Sequence, residues 1–158
     1  MGAVYSAHAI ANRFLQLAQN SGRQLTNMQL QKLVFLAHGF ALGLLNRPLT
    51  FHNVHAWQFG PVIPKLYKSL QAYGNGTVTA PLKSPSPDQD ALLDTDDEAK
   101  AIIAGVWNAY GQWNGSKLSA LTHLPESPWD IVWNQEGRRY DVIPNEIIRE
   151  HYAEMQGA

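Results

Sequence analysis

The sequence predicts a mainly α-helical fold: a single compact domain of about six helices around a buried central helix, with a small β-hairpin-like element. Apolar residues recur at helical spacing in several segments, and capping patterns mark where these segments begin. The chain has 158 residues, of which 45% are hydrophobic, and this suits one globular domain with one core. It contains no cysteine, which excludes a disulfide scaffold, a thiolate metal site and a cysteine nucleophile.

The first two helices follow from local patterns. Residues 5–20 place apolar side chains on one stripe at helical spacing, and Ser21-Gly22 ends that helix. Thr26 and Gln29 form a capping box, from which a second helix runs to about Leu45. Its apolar face is too wide for a surface helix, so we expect it to be the buried central one.

A short β element is predicted before and after the third helix. Partial alternation of apolar residues indicates a strand within 49–59, and Thr77-Val78-Thr79 is its candidate partner strand. Between them, Gly60-Pro61 is predicted to open the third helix, because proline is favoured at the first helical position. Gly74-Asn75-Gly76 is predicted to end that helix.

The second half of the chain begins with a segment that its prolines bar from helical structure. Three prolines lie within seven residues of the segment 79–95, which we predict to be a surface loop within one domain. Later helices are expected from the capping box Thr95-Asp96-Asp97-Glu98 and from Ser116, Ser127-Pro128 and Pro144.

The charges divide unevenly along the chain. Residues 1–83 carry seven basic side chains and no acidic one, whereas residues 84–158 carry 13 acidic and five basic ones, a net charge of −8. Two interpretations stay open: the halves pack together and neutralise each other, or one half presents a steering field to a partner of opposite charge. Seven basic residues over this length are too dilute to form a nucleic-acid patch by themselves.

The sequence carries no enzyme signature, so no catalytic residue is assigned. It lacks the nucleophile-elbow, P-loop, zincin and dinucleotide-binding motifs. His52 and His55 have a chelating spacing but no carboxylate nearby, and a site made of His38, His55 and His123 would need the fold to bring them together. We therefore expect no enzyme activity, no metal site and no cofactor.

The apolar segments do not predict a membrane protein. The longest one, Leu33–Leu45, has 13 residues, whereas a helix needs roughly 20 to span a bilayer. There is no basic segment before an apolar one of the kind that forms a secretory signal. We expect a cytoplasmic protein.

An alternative function is suggested by two helices joined through a short turn. The segment 10–45 resembles a helix-turn-helix, which makes a DNA-binding transcriptional regulator the alternative to the function given below. A recognition helix should present polar and basic side chains, and here the second helix soon becomes apolar, which argues against base readout. The polar residues near its start are Asn27, Gln29, Gln31 and Lys32.

Five tryptophans are candidates either for core anchors or for binding hot spots. Trp57 and Trp107 lie in apolar patterns, which favours a core position. Trp113, Trp129 and Trp133 lie in or near turns, so both interpretations stay open for them.

Several blocks of the sequence, in order, resemble the Panacea domain, the SocA-like or GepA-like family of phage-associated proteins. They are residues 9–18, residues 25–39, Ala56–Tyr67, Leu118–His123 and Ser127-Pro128-Trp129. The resemblance covers about residues 5–130 and leaves 130–158 as a C-terminal extension outside the blocks. The chain departs from the family pattern at Gln58-Phe59, where the family has Lys-Tyr, and at Asn53-Val54-His55, where an acidic residue is common.

The resemblance implies an antitoxin, a bacterial or prophage protein that neutralises a toxin encoded beside it. It also implies one antitoxin domain over residues 1–158 and a cognate protein toxin of undefined chemistry as the partner. Direct blocking of the toxin and hand-off of the toxin to a host protease both stay open, as does oligomerisation.

We expect the toxin to contact aromatic and basic side chains. The predicted partner-binding residues are Lys65, Tyr67, Lys68, Trp113 and Trp129, together with the loop 79–95.

Other residues of the blocks are predicted to be structural. They are Trp57, Gly60, Pro61, Thr122 and His123. Trp57 would pack under the third helix, Gly60-Pro61 would set its entry, and His123 would fix a turn by hydrogen bonding to the backbone or to Thr122. In the alternative interpretation, the exposed N-terminus of that helix, with its two lysines, receives an acidic group of the partner.

Overall fold

One long helix organises the fold. The computed structural model describes residues 3–84 and 88–157, and within them it has eight α-helices and one two-stranded sheet. The helices are α1 (Ala7–Asn20), α2 (Asn27–Leu45), α3 (Pro64–Leu70), α4 (Gln89–Asp94), α5 (Asp97–Tyr110), α6 (Gly115–Thr122), α7 (Pro128–Asp130) and α8 (Asn145–Gly157). The strands are β1 (His55–Trp57) and β2 (Gly60–Val62). The mainly α fold is confirmed, with more helices than the six or so expected.

Local capping fixes the first two helices as the sequence predicts. The Ser6 side chain accepts a hydrogen bond from the Ala9 amide at the start of α1. Both bonds of the predicted capping box between Thr26 and Gln29 are present at the start of α2. The helix ends at Asn46, whose backbone is left-handed.

Helix α2 is the buried centre, as predicted. It packs against α1, α5, α6 and α8. The closest approach is to α8, because a Cβ atom on Gly43 would lie 2.6 Å from the Ala153 amide nitrogen. By length and composition α2 is also the one described helix that could cross a membrane, but 61% of its most apolar stretch is buried inside the fold. This burial fits the central helix of a packed core.

The β element differs from the prediction. Strands β1 and β2 form a tight antiparallel hairpin that pairs Trp57 with Gly60 and leaves Gln58 and Phe59 as the turn. The third helix therefore begins at Pro64 and not at Pro61, so Gly60-Pro61 is not a helix entry. The reason is the backbone of Gly60, whose φ of 122° is foreign to a helix and suits the end of a hairpin turn.

The predicted partner strand Thr77-Val78-Thr79 pairs elsewhere. The Val78 amide donates to the Leu25 carbonyl oxygen over 2.8 Å, and Thr77 forms a β-bridge with Thr26. This segment therefore closes over the α1–α2 connection instead of joining the hairpin.

The predicted surface loop 79–95 is partly helical. Helix α4 begins at Gln89, after the three prolines, and buries Leu93 against the core. Residues 85–87 lie outside the described residues. The N-cap of α5 is Asp96 and not the predicted Thr95, because the Asp96 carboxylate accepts from the Ala99 amide.

Candidate protein-binding surface

The hairpin, α3 and α6 form one surface, which we call the hairpin surface (residues 55–70 and 115–123). Strand β2 packs on α2 and on α6, and β1 reaches α3 through an edge-to-face contact between the rings of Trp57 and Tyr67, 4.9 Å apart. Three helices and one hairpin thus meet at the turn Gln58-Phe59.

Side chains from three helices hold the carbonyl oxygens of the hairpin turn. The Lys32 Nζ donates to the Pro61 oxygen over 3.1 Å and to the Phe59 oxygen over 3.5 Å. The Ser119 hydroxyl donates to the Phe59 oxygen over 3.3 Å, and the Trp129 indole N–H donates to the Trp57 oxygen over 2.6 Å. The main chain of a two-residue turn is therefore fixed by α2, α6 and α7.

Lys32 is the unusual member of this set. Its side chain is buried, with the residue only 4% exposed, and it lies in the first turns of the central helix. No ion pair recorded among the described residues includes it, and burial lowers the pKa of its amine to about 8. A Cβ atom on Gly60 would lie 2.8 Å from the Lys32 Nζ, and the φ of 122° at Gly60 is itself a backbone conformation that favours glycine.

His123 and Thr122 support the same region from the end of α6. The Thr122 hydroxyl and the His123 Nδ1 both donate to the Ser119 carbonyl oxygen, over 2.9 and 2.7 Å. The His123 ring packs edge-to-face on the Trp129 indole, with centroids 4.5 Å apart, and burial lowers its pKa. These are the backbone contacts predicted for His123, and they keep the two donors Ser119 and Trp129 in place.

The hairpin turn carries Phe59, the most exposed large apolar side chain of the described residues, at 70%. Lys65 and Lys68 are exposed on α3, and Tyr67 between them is half-buried against Trp57. Three of the predicted partner-binding residues thus lie on the hairpin surface, which also carries Phe59, a residue that was not among those predicted to contact a partner.

The two predicted tryptophans have different surroundings. Trp113 is half-buried just before α6, with the Lys117 ammonium 3.9 Å above its ring. Trp129 is only 8% exposed, and its N–H and ring are both occupied by the hairpin contacts described above. The prediction that Trp129 contacts a partner is therefore corrected: its role is to hold the hairpin.

A second buried cation lies away from the hairpin surface. Arg47 follows α2, pairs with the Asp96 carboxylate and donates to the Ala3 carbonyl oxygen over 2.7 Å. The Tyr5 hydroxyl donates to the same carboxylate over 2.6 Å. The Arg47 hydrogen bond lowers the pKa of Asp96 to about 2, and burial with the bond to Asp96 raises the pKa of Tyr5 to about 12.

The ion pairs support the first interpretation of the uneven charge for one region of the chain. The Arg47–Asp96 pair and the 3.5 Å contact between Arg13 and Asp94 join the basic and acidic parts of the chain. No ion pair recorded among the described residues includes Lys65 or Lys68, and both are exposed. The halves neutralise each other at α4 and α5, and positive charge stays exposed on the hairpin surface.

The polar residues of the suggested recognition helix are used inside the fold. The Asn27 amide donates to the carbonyl oxygens of Leu70 and Gly74, and Gln31 donates to the Asn27 side chain. Gln29 completes the capping box and Lys32 holds the hairpin. These bonds leave the start of α2 without the free polar face that base readout in the major groove requires.

The histidines that might have shared a metal have separate partners. His38 is buried, and its Nδ1 accepts from the amides of Leu49 and Thr50. His55 lies 3.3 Å from the Tyr140 carbonyl oxygen, and His123 donates to Ser119. Within residues 3–84 and 88–157 there is no group of three or more His, Asp or Glu side chains that could hold a metal ion.

Known proteins match the chain along most of its length. Residues 30–130 match the family model described as Antitoxin SocA-like, Panacea domain. The chain is 30% identical over 161 residues to Antitoxin SocA of Caulobacter vibrioides (strain NA1000 / CB15N), and the alignment covers 92% of this chain and 81% of that protein. No solved structure matches the chain at a significant level.

Proposed function

Because the chain belongs to the SocA-like antitoxin family with a Panacea domain, as its sequence blocks indicate, we propose that it neutralises a cognate protein toxin by binding it directly. The similarity to Antitoxin SocA carries this proposal. It covers 92% of this chain, and the family match over residues 30–130 includes the whole hairpin surface.

The contacts of the polar groups support a binding scaffold in preference to a reaction centre. The side chains of a type often found in catalytic sites are His38, His123 and Lys32. Each of them is hydrogen bonded to backbone groups of the fold. We infer a non-catalytic role in the cytoplasm, with Lys65, Tyr67, Lys68 and Trp113 as contact residues for the toxin.

Co-expression with the protein encoded by the neighbouring reading frame tests the proposal. The neighbour alone should stop growth, and the antitoxin should restore growth and co-purify with the neighbour while the amount of toxin stays constant. The variant Gly43→Leu is a suitable negative control, because a side chain there pushes α8 off α2. Restored growth with loss of the toxin would instead indicate hand-off to a protease, and a harmless neighbour would remove the main support for an antitoxin role.

A further inference from the structure

We propose that Phe59 is the anchor of the toxin interface and that it enters an apolar pocket on the toxin whose rim carries carboxylates. This inference rests on the proposed function and assigns a residue and a partner chemistry to it. It is built on the exposure of Phe59, on the way the turn is held and on the charge around it.

The exposure of Phe59 is not shared by the other exposed aromatic side chains. Phe51 is 54% exposed and packs edge-to-face on His52, with centroids 4.6 Å apart. Tyr140 likewise packs on Trp133 at 5.1 Å. Phe59 is more exposed than either, and it stands at the tip of a hairpin. Such a side chain gains most from an apolar pocket on another molecule, because most of its surface is still in water.

The turn is already ordered for this task. Lys32, Ser119 and Trp129 fix the carbonyl oxygens at positions 57, 59 and 61, and the left-handed Gly60 fixes the backbone next to Phe59. A partner that takes up Phe59 therefore does not have to order the loop that carries it. Pre-ordering of this kind increases affinity because less conformational entropy is lost on binding.

The charge of the hairpin surface as a whole indicates what surrounds the pocket on the toxin. Residues 57–70 and 115–123 contain no aspartate or glutamate, and their charged residues are Lys65, Lys68 and Lys117, all exposed. Carboxylates around the pocket of the toxin would meet these lysines and guide its approach. The T-shaped pair of Trp57 and Tyr67 adds aromatic side chains to the same surface.

A nucleic acid is the less suitable ligand for this surface. Single-strand binding relies on several aromatic faces on which successive bases stack along a basic groove. Here Phe59 is one fully presented ring, and the neighbouring rings of Trp57 and Tyr67 are packed against each other. One projecting ring with a few surrounding lysines fits a protein pocket better.

Two phenylalanine variants of the full chain form the central experiment. Phe59→Ala should weaken binding to the protein of the neighbouring reading frame on the order of 30-fold and abolish growth rescue. Phe51→Ala is the matched control, since it removes the same side chain from another exposed position, and it should bind and rescue like the unchanged protein. Both should keep the thermal unfolding temperature, because both side chains are exposed.

A separate experiment tests whether the exposed lysines guide the approach of the toxin. Lys65→Glu with Lys68→Glu should slow association on the order of tenfold at low salt and remove most of its salt dependence. Lys100→Glu, at a lysine on α5 outside the hairpin surface and outside the loop 79–95, is the control and should change the rate little. An unchanged rate in the double variant would contradict the acidic rim.

A photoreactive phenylalanine at position 59 gives an independent readout in cells. It should form a crosslink to the toxin, whereas the same residue at position 51 should not. Suppose that the unchanged chain rescues growth, and that Phe59→Ala also rescues growth and binds the toxin within about threefold of the unchanged affinity. Phe59 is then not the anchor of the interface, and the antitoxin function stands. A crosslink to nucleic acid overturns the protein pocket, and failure of the unchanged chain to rescue or bind removes both proposals.

Discussion

Two regions of this protein each bury a cation, and the two cations have different kinds of hydrogen-bond partner. Arg47 is 7% exposed and faces the Asp96 carboxylate, with the Tyr5 hydroxyl bound to the same acid. Lys32 is as deeply buried but donates to the carbonyl oxygens of Phe59 and Pro61. The first region is an ion pair that joins distant parts of the chain, and the second is a charge held by main-chain dipoles alone.

The difference explains how the two regions divide their tasks. The Arg47–Asp96 pair depends on the identity of both side chains, and it ties the end of α2 to the start of α5. Lys32, Ser119 and Trp129 bind backbone oxygens, so their bonds do not depend on which side chains occupy positions 58 and 59. The scaffold region thus depends on particular side chains, whereas the hairpin region keeps its shape with different outward side chains.

The largest effect is expected from breaking the ion pair. Arg47→Met leaves the Asp96 carboxylate without its cation in a mostly buried position, and we expect the free energy of unfolding to fall by about 3 kcal/mol. Urea unfolding at neutral pH measures this loss. Arg138→Ala, which removes the exposed partner of Asp141, should cost much less and serves as the control. A similar loss of unfolding free energy for both variants would mean that the burial of the Arg47–Asp96 pair does not determine its contribution to stability.

The second effect concerns Lys32 and appears as a dependence on pH. Burial lowers its folded pKa to about 8, below the unfolded value of 10.5, so between these values the unfolded chain holds a proton that the folded one has released. The free energy of unfolding should therefore rise by about 1 kcal/mol from pH 8 to pH 9. The measurement should stop near pH 9, because the raised pKa values of Tyr5, Tyr110 and Tyr152 make stability fall as the pH approaches 10.

Lys32→Met is the variant that assigns this rise. It fills the same space without a titratable group, so its urea midpoint should stay flat from pH 8 to pH 9. His123, the other titratable group facing Lys32, has a pKa lowered from 6.5 and is neutral throughout this range. A rise that persists in the variant would show that another group causes it and that Lys32 is not a strained charge.

The scaffold could be predicted from the sequence to a greater extent than the hairpin region. The capping box at Thr26 and the apolar stripes of α1 and α2 are local signals, and the structure follows them. Gly60-Pro61 is also a local signal for a helix start, but here the contact of Gly60 with Lys32 and the pairing with β1 decide the backbone. Contacts between residues far apart in the sequence overrode the local preference.

The same reasoning explains which side-chain environments could be predicted and which could not. Lys65 and Lys68 were predicted on a helix and are exposed there. In the sequence, Lys32 resembles a solvent-exposed residue near the start of a helix. The one signal for a buried position is its spacing of three and four residues from the buried Phe35 and Leu36, which places it on the same face of the helix. Phe59 lies in an aromatic stretch that resembles a core strand, and its exposure depends on a turn that the sequence pattern did not show.

The smallest expected effect tests whether several side-chain donors share the task of fixing the hairpin turn. Ser119→Ala removes one neutral hydrogen bond of 3.3 Å to the Phe59 carbonyl oxygen, and we expect a loss of about 0.5 to 1 kcal/mol. Because Lys32 still binds that oxygen, the loss should be local: amide hydrogen exchange in residues 57–61 should speed up by up to about fivefold, with no change around Asp96.

Ser116→Ala, at an exposed serine on the same helix, is the control and should leave exchange at the hairpin unchanged. If Ser119→Ala instead accelerates exchange across α2 and α5 alike, the hairpin and the scaffold open together, and the division of tasks between the two buried cations does not hold.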